Sequence, residues 1–203
     1  MKKNLNKKDC ERRMMEIRAA DAGEGVMRLE GYAIVYEQPA THTLNGRKFT
    51  ETIKRGALDG AEMRDVPMKY NHADSVLIMA RTRNHSLRLI NDDTGLKIEA
   101  DLIDTQSNRD LYKAIHEGLL GEMSFAFSVA EGGDSWTFTD DEDFREVNNI
   151  EKLWDVSVVD SPFYDTTSIY ARSLDLLENE KRRLDSLREI EVLKEKIRLK
   201  GKI

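Results

Sequence analysis

The sequence contains one cysteine, Cys10, so no internal disulfide forms and a zinc site built from several cysteines is excluded. It also has no apolar run near the roughly 20 residues that cross a bilayer, and residues 1–13 are polar rather than signal-like. The expectation is a chain that stays in the cytoplasm where it is made, with no membrane partner. A basic excess is missing too: 32 Lys and Arg against 38 Asp and Glu leave a net charge of -6, so no nucleic-acid partner is expected. No Gly-rich phosphate loop and no His-Glu-x-x-His motif occur. Glu122 and Ala126 stand where the glycines of Gly-x-Ser-x-Gly would fall around Ser124, which argues against an α/β-hydrolase. No metal or other cofactor is expected; a cluster of His72, Asp74 and His85 is the weaker rival.

What is present is a β-rich pattern. Met14 to Ala19 and Val26 to Tyr36 read as a hairpin around Gly23 and Gly25. Glu37 to Arg47 reads as a polar loop, and Phe49 to Leu58 has no clear element type. Asp65 to Asn71 reads as a short strand, and Ser75 to Thr82, Ser86 to Ile90 and Leu96 to Leu102 as a meander. Asn108 to Glu117 has helical spacing and stops at Gly118. The strand that follows alternates, with Met123, Phe125, Phe127 and Val129 on one face and Ser124, Ala126 and Ser128 on the other. Glu131 to Phe144 reads as an exposed acidic loop before a strand at Arg145 to Ile150. In Lys152 to Asp160, alternation sets Trp154, Val156 and Val158 against Asp155, Ser157 and Val159. The chain therefore divides into a basic leader (1–13), a main domain (14–172) and a tail (173–203). In the tail Leu174, Leu177, Leu184, Leu187, Ile190, Leu193 and Ile197 recur at helical intervals, a stripe suited to docking or to joining two copies.

Chemistry gathers at a few positions. Ser124 lies on a nearly bare strand face that leaves room for a substrate backbone, although packing against a helix would need the same small residues. A serine attacks only when a base takes its proton and a third group steadies that base. Of the four histidines, His42, His85 and His116 read as solvated or structural, whereas His72 stands at a strand end beside Ala73 and Asp74. Asp155 lies within an apolar strand, where an unpaired carboxylate is costly. A solvent-facing edge position would also account for it. Asp160, just before Ser161-Pro162, is the reserve acid.

Four blocks then occur in order: Tyr70 to Asp74, Asp93 to Ala100, Gly118 to Phe127, and Leu153 to Pro162. With Leu29 to Tyr36 and Phe49 to Leu58, they resemble the prohead (capsid maturation) serine proteases of tailed bacteriophages, over roughly residues 14–172. The resemblance implies an α+β, mainly β fold similar to herpesvirus assemblin: a β-barrel core with surrounding helices, here followed by the amphipathic tail helix. It implies a serine endopeptidase with Ser124 as nucleophile and His72 as general base. The third position, usually glutamate in such sequences, is held here by Asp155. It also implies action inside the immature capsid, on the scaffold portion of the major capsid protein and on the protease itself. A non-enzymatic assembly module built on the same β core is the alternative.

Overall fold

The structure, a computed structural model, describes residues 11–20, 25–44, 47–74, 78–139 and 142–160, with residues 182, 183, 185–190, 192, 194 and 198 of the tail. The first ten residues of the leader, residues 75–77 of the meander and residues 161–181 lie outside the described residues. Twelve strands are described, β1 (Glu11–Ala20), β2 (Met27–Val35), β3 (Ala40–Leu44), β4 (Arg47–Ile53), β5 (Pro67–Tyr70), β6 (Ala80–Arg81), β7 (Leu87–Asn91), β8 (Gly95–Leu102), β9 (Glu122–Val129), β10 (Asp134–Thr137), β11 (Asp143–Val147) and β12 (Ile150–Val159). One α-helix, α1 (Gln106–His116), joins β8 to β9. Helices around the barrel are few: among the described residues of the body, α1 is the one α-helix.

Eight strands form one sheet in the order β6-β5-β12-β9-β1-β2-β8-β7. It curls until its edges approach, where the Arg81 N–H donates to Ser86 Oγ at 2.9 Å, giving a nearly closed barrel. Apolar alternation drives the curl. Leu96, Ile98, Ala100 and Leu102 of β8 are buried, while Lys97, Glu99 and Asp101 between them face out and pair with Glu30, Arg88 and Arg28. Following the pairing around the sheet, the inward row continues through Leu29, Ile17, Met123, Phe125, Phe127, Val156, Val158 and Met68. Each such side chain contributes about 1.5–3 kcal/mol of burial free energy. Gly31 is required where β1 crosses β2, because a Cβ there would stand 2.4 Å from the Glu16 carbonyl oxygen.

The helix forms as its spacing implies. Thr105 caps it by accepting the Asn108 N–H at 3.3 Å, and Gly118, at φ 73°, lets the chain leave it. The strand β1 begins at Glu11, inside the segment assigned to the leader, because pairing with β9 continues to Glu11 and Phe127. Further differences follow from polar strands that hydropathy does not mark. The expected loops at 37–47 and 131–144 contain β3, β10 and most of the start of β11, which with β4 form a second sheet in the order β10-β11-β4-β3. In β11, Asp143, Arg145 and Val147 are buried while Phe144 and Glu146 are exposed, so the charges alternate into the structure. The tail residues that are described are helical and exposed, including Leu187, Ile190 and Val192.

The second sheet is tied to the barrel by charge. Glu51 of β4 is 2% exposed and accepts from Arg13 of β1 at 2.5 Å through both oxygens and from Arg145 of β11 at 2.9 Å. Arg13 also lies over the Phe127 ring and Arg145 over Trp136. Burial alone would raise the Glu51 pKa, but the two guanidinium groups outweigh it and hold it at about 2 against an ordinary 4.5. Because the folded value lies below the unfolded one, this stabilisation is complete above pH 4.5 and disappears as pH falls toward 2. Glu51→Gln should therefore cost about 3–5 kcal/mol in denaturant melts at pH 7. The gap from the parent should narrow on acidification through that window; equal stability at pH 7 would refute the central role of the cluster.

Candidate active site

The site lies on the outer wall of the barrel, where β5, β12 and β9 run side by side. The register pairs Lys69 with Ser157 and Ser157 with Ser124, so these three side chains form one row across the outer face. In the next row Asp155 stands beside Ala126. The nearly bare face expected around Ser124 is therefore the face that carries the polar groups, and it is not open: Ser124 and Asp155 are each 1% exposed. Strict alternation in β12 fails twice, between Ile150 and Lys152 and again beside the acid. A bulge between Leu153 and Asp155 sets two steps of β12 against one of β9, which keeps Leu153 in the core and turns both Trp154 and Asp155 outward. Trp154, expected on the face of Val156, instead donates its indole N–H to Ser128 Oγ at 2.7 Å.

His72 reaches this wall from a turn. After β5 the chain passes through two consecutive left-handed non-glycine residues, Asn71 at φ 49° and His72 at φ 54°. This backbone carries a strain of about 1–2 kcal/mol per residue and persists only where its surroundings hold it. The Asn71 N–H donates to the Val158 carbonyl at 2.9 Å, and the Asn71 side chain donates to Asp160 Oδ2 at 2.8 Å. The Asp160 N–H returns a bond to Asn71 Oδ1 at 3.2 Å, and Tyr70 Oη donates to Asp160 at 2.9 Å. The turn folds the imidazole back onto β12, where the His72 N–H donates to Ser157 Oγ at 3.2 Å.

There His72 Nδ1 is 2.5 Å from Asp155 Oδ1, and the Ser157 hydroxyl donates to the same carboxylate oxygen at 3.1 Å. A carboxylate at that distance requires Nδ1 to carry the proton, so in the neutral ring the lone pair is on Nε2. Lys69 Nζ stands 3.6 Å from Asp155 Oδ2 and 2.5 Å from Asp74 Oδ1. Burial pushes the Asp155 pKa up, but His72, Lys69 and Ser157 outweigh it and hold the carboxyl below its ordinary 3.8. His72 Nε2 and Ser124 Oγ are both buried, and neither has a hydrogen-bond partner among the described residues. They do not bond to each other in this structure.

Of the residues singled out in sequence, His72 and Asp155 therefore meet, Ser124 occupies the adjoining strand, and Asp160 braces the turn without touching the imidazole. His85, on a left-handed residue after the 3-10 turn at Thr82–Asn84, and His116 lie apart and exposed, while His42 packs on Phe49 at 5.1 Å. Among the described residues no group of three or more His, Cys, Asp or Glu side chains is placed to hold a metal ion. Lys69 and Ser157 were not singled out. Alternation alone carried their signal, since Ser157 is two residues beyond Asp155 and Lys69 interrupts the apolar Met68 and Tyr70.

Comparison with known proteins gives a family. Residues 13–182 match the family model described as caudovirus prohead serine protease. No curated protein matches the sequence. Among solved structures, the capsid assembly protease of bacteriophage T4 is similar over 76% of this chain and 99% of its own, at 13% identity and a TM-score of 0.42.

The left-handed turn is open to test. Asn71→Val places a β-branched side chain at a positive φ and removes both ties to Asp160, so it should lower stability by at least about 2 kcal/mol. Asn71→Gly removes the same ties but relieves the backbone, and its loss should stay within about 1 kcal/mol. Denaturation midpoints that rank the two the other way would contradict a strained, side-chain-held turn.

Proposed function

Because the chain belongs to the caudovirus prohead serine protease family and so is a serine-type protease of capsid maturation, we propose that Ser124 is its nucleophile, with His72 as base and Asp155 as orienting acid. The observation that carries this reading is the contact between His72 Nδ1 and Asp155, with Nε2 left unbonded on the same wall as an unbonded Ser124 hydroxyl. Buried polar atoms without partners cost about 1–3 kcal/mol each, so two on one wall mark a place that a ligand or water would complete.

In the mechanism, Nε2 of His72 accepts the proton of Ser124 Oγ as the oxygen attacks the substrate carbonyl. Asp155 keeps Nδ1 protonated and stabilises the imidazolium that forms. Backbone N–H groups stabilise the tetrahedral oxyanion, and the imidazolium then protonates the leaving amine. Water releases the acyl group by the same steps in reverse roles. The hydrogen bond between Ser124 and His72 closes when substrate enters, as catalytic contacts commonly do. Since Ser124 is 1% exposed, entry also requires that what covers the hydroxyl be displaced.

The substrates are the scaffold portion of the major capsid protein and the protease's own chain, cut inside the immature capsid in the host cytoplasm. An assemblin-type barrel is the framework, and the 173–203 tail docks onto assembling subunits or pairs with another copy. The exposed Leu187, Ile190 and Val192 support that role.

Ser124→Ala should leave a folded protein whose cleavage of the capsid-protein precursor, followed by intact mass, falls by at least about 10⁴-fold. Asp155→Asn should fall by about the same factor, because the imidazole loses its tautomer. Retained cleavage by Ser124→Ala would overturn the assignment. Deletion of residues 173–203 should abolish incorporation into particles and spare peptide cleavage; normal incorporation would remove the docking role.

A further inference from the structure

We propose that Lys69 is a positioning residue of this site, an ammonium strap between the turn that carries His72 and the strand that carries Asp155. The inference rests on the assignment of His72 and Asp155 above. Lysine is seldom buried, yet the Lys69 side chain is 9% exposed on a four-residue strand where an apolar residue would complete the wall. Its Nζ lies between two carboxylates of different elements, 2.5 Å from Asp74 Oδ1 and 3.6 Å from Asp155 Oδ2. Asp74 is two residues beyond His72, so this one cation ties the far side of the left-handed turn to β5 while it faces the acid on β12.

The division of labour around Asp155 follows from its two oxygens. Oδ1 receives the imidazole and the Ser157 hydroxyl, and Oδ2, which has no hydrogen bond, faces the ammonium. From β9 the neighbour is Ala126, which carries no charge. The charged and titratable groups that face the acid are thus His72 from the turn and Lys69 from β5, with Asp74 behind the ammonium. A cation there keeps the acid ionised and opposes a positive charge on the imidazole. Removing it therefore favours the imidazolium, and removing Asp74 does the reverse.

The test is the pH dependence of kcat/KM on a peptide spanning a bond that the purified chain cuts, mapped by intact mass. Lys69→Met should lower kcat roughly tenfold, leave KM within about twofold, and move the acidic limb up by about one pH unit. Lys69→Arg should return the limb to its original position. Asp74→Asn, at a 69% exposed side chain and therefore safe for folding, should move the limb down. A limb unmoved in Lys69→Met overturns the proposal, and if that variant does not fold, a limb unmoved in Asp74→Asn does so. Cleavage retained by Ser124→Ala in the same assay would instead overturn the catalytic assignment beneath it.

Discussion

Parallel pairing of β5 with β12 sets Met68 beside Val156 and Lys69 beside Ser157, and this register decides which side of the barrel receives the turn after Tyr70. A slip of one residue would bury the lysine in the core and expose Met68, so the hydrophobic effect holds the register by penalising the alternative. The three pairs of this short ladder have consequences well beyond their own hydrogen bonds. They fix the start of the turn, the turn fixes the imidazole, and the antiparallel pairing of β12 with β9 sets Ser124 one strand farther along the same wall. Each step depends on the one before it, which is why a strained backbone is tolerated at Asn71 and His72.

Two buried carboxylates, Glu51 and Asp155, are bonded in different ways. Glu51 meets a guanidinium fork through both oxygens and a second arginine besides, and its partners are in turn stacked on aromatic rings. Its bonding is closed, and its effect is to lock the second sheet to β1. Asp155 is equally buried, but it meets a neutralisable imidazole at one oxygen and a more distant ammonium at the other. The chain of bonds that starts at Asp155 ends at Nε2 of His72, an atom with nothing to bond among the described residues. An arrangement evolved for stability alone would satisfy that nitrogen or replace the group. The open end is the atom on which the proposed proton transfer depends.

Legibility in the sequence followed the strength of the local pattern. The β9 alternation, the helix with its glycine exit and the inward face of β8 were readable because burial and periodicity coincide there. His72 and Asp155, which meet in the structure, were readable through side-chain chemistry: one at a strand end, the other in an apolar run. The strands β3 and β10 and the first two residues of β11 were not, since their polar side chains satisfy each other inside a second sheet and hydropathy registers only polarity. The left-handed turn was hidden because neither residue is glycine; only the asparagine hints at it. Lys69 and Ser157 gain meaning from neighbours 85 to 88 positions away in sequence, a separation across which periodicity carries no information.

The bulge in β12 lets an aspartate take, in the proposed site, the place where the resemblance implies a glutamate. Continued alternation from buried Leu153 would point Asp155 into the core; the extra residue, Trp154, turns it to the outer wall and adds local bend. A carboxylate that is one methylene shorter stays about 1.5 Å nearer its own backbone, so the base must come to it. The turn brings it there: the His72 N–H lies 3.2 Å from Ser157 Oγ, which holds the backbone of the base against the same strand that bears the acid. A glutamate on this bulged strand would meet a ring already close to the sheet and would have to fold away from Nδ1. The depth of the left-handed turn and the length of the acid are therefore matched, and changing either one requires a compensating change in the other.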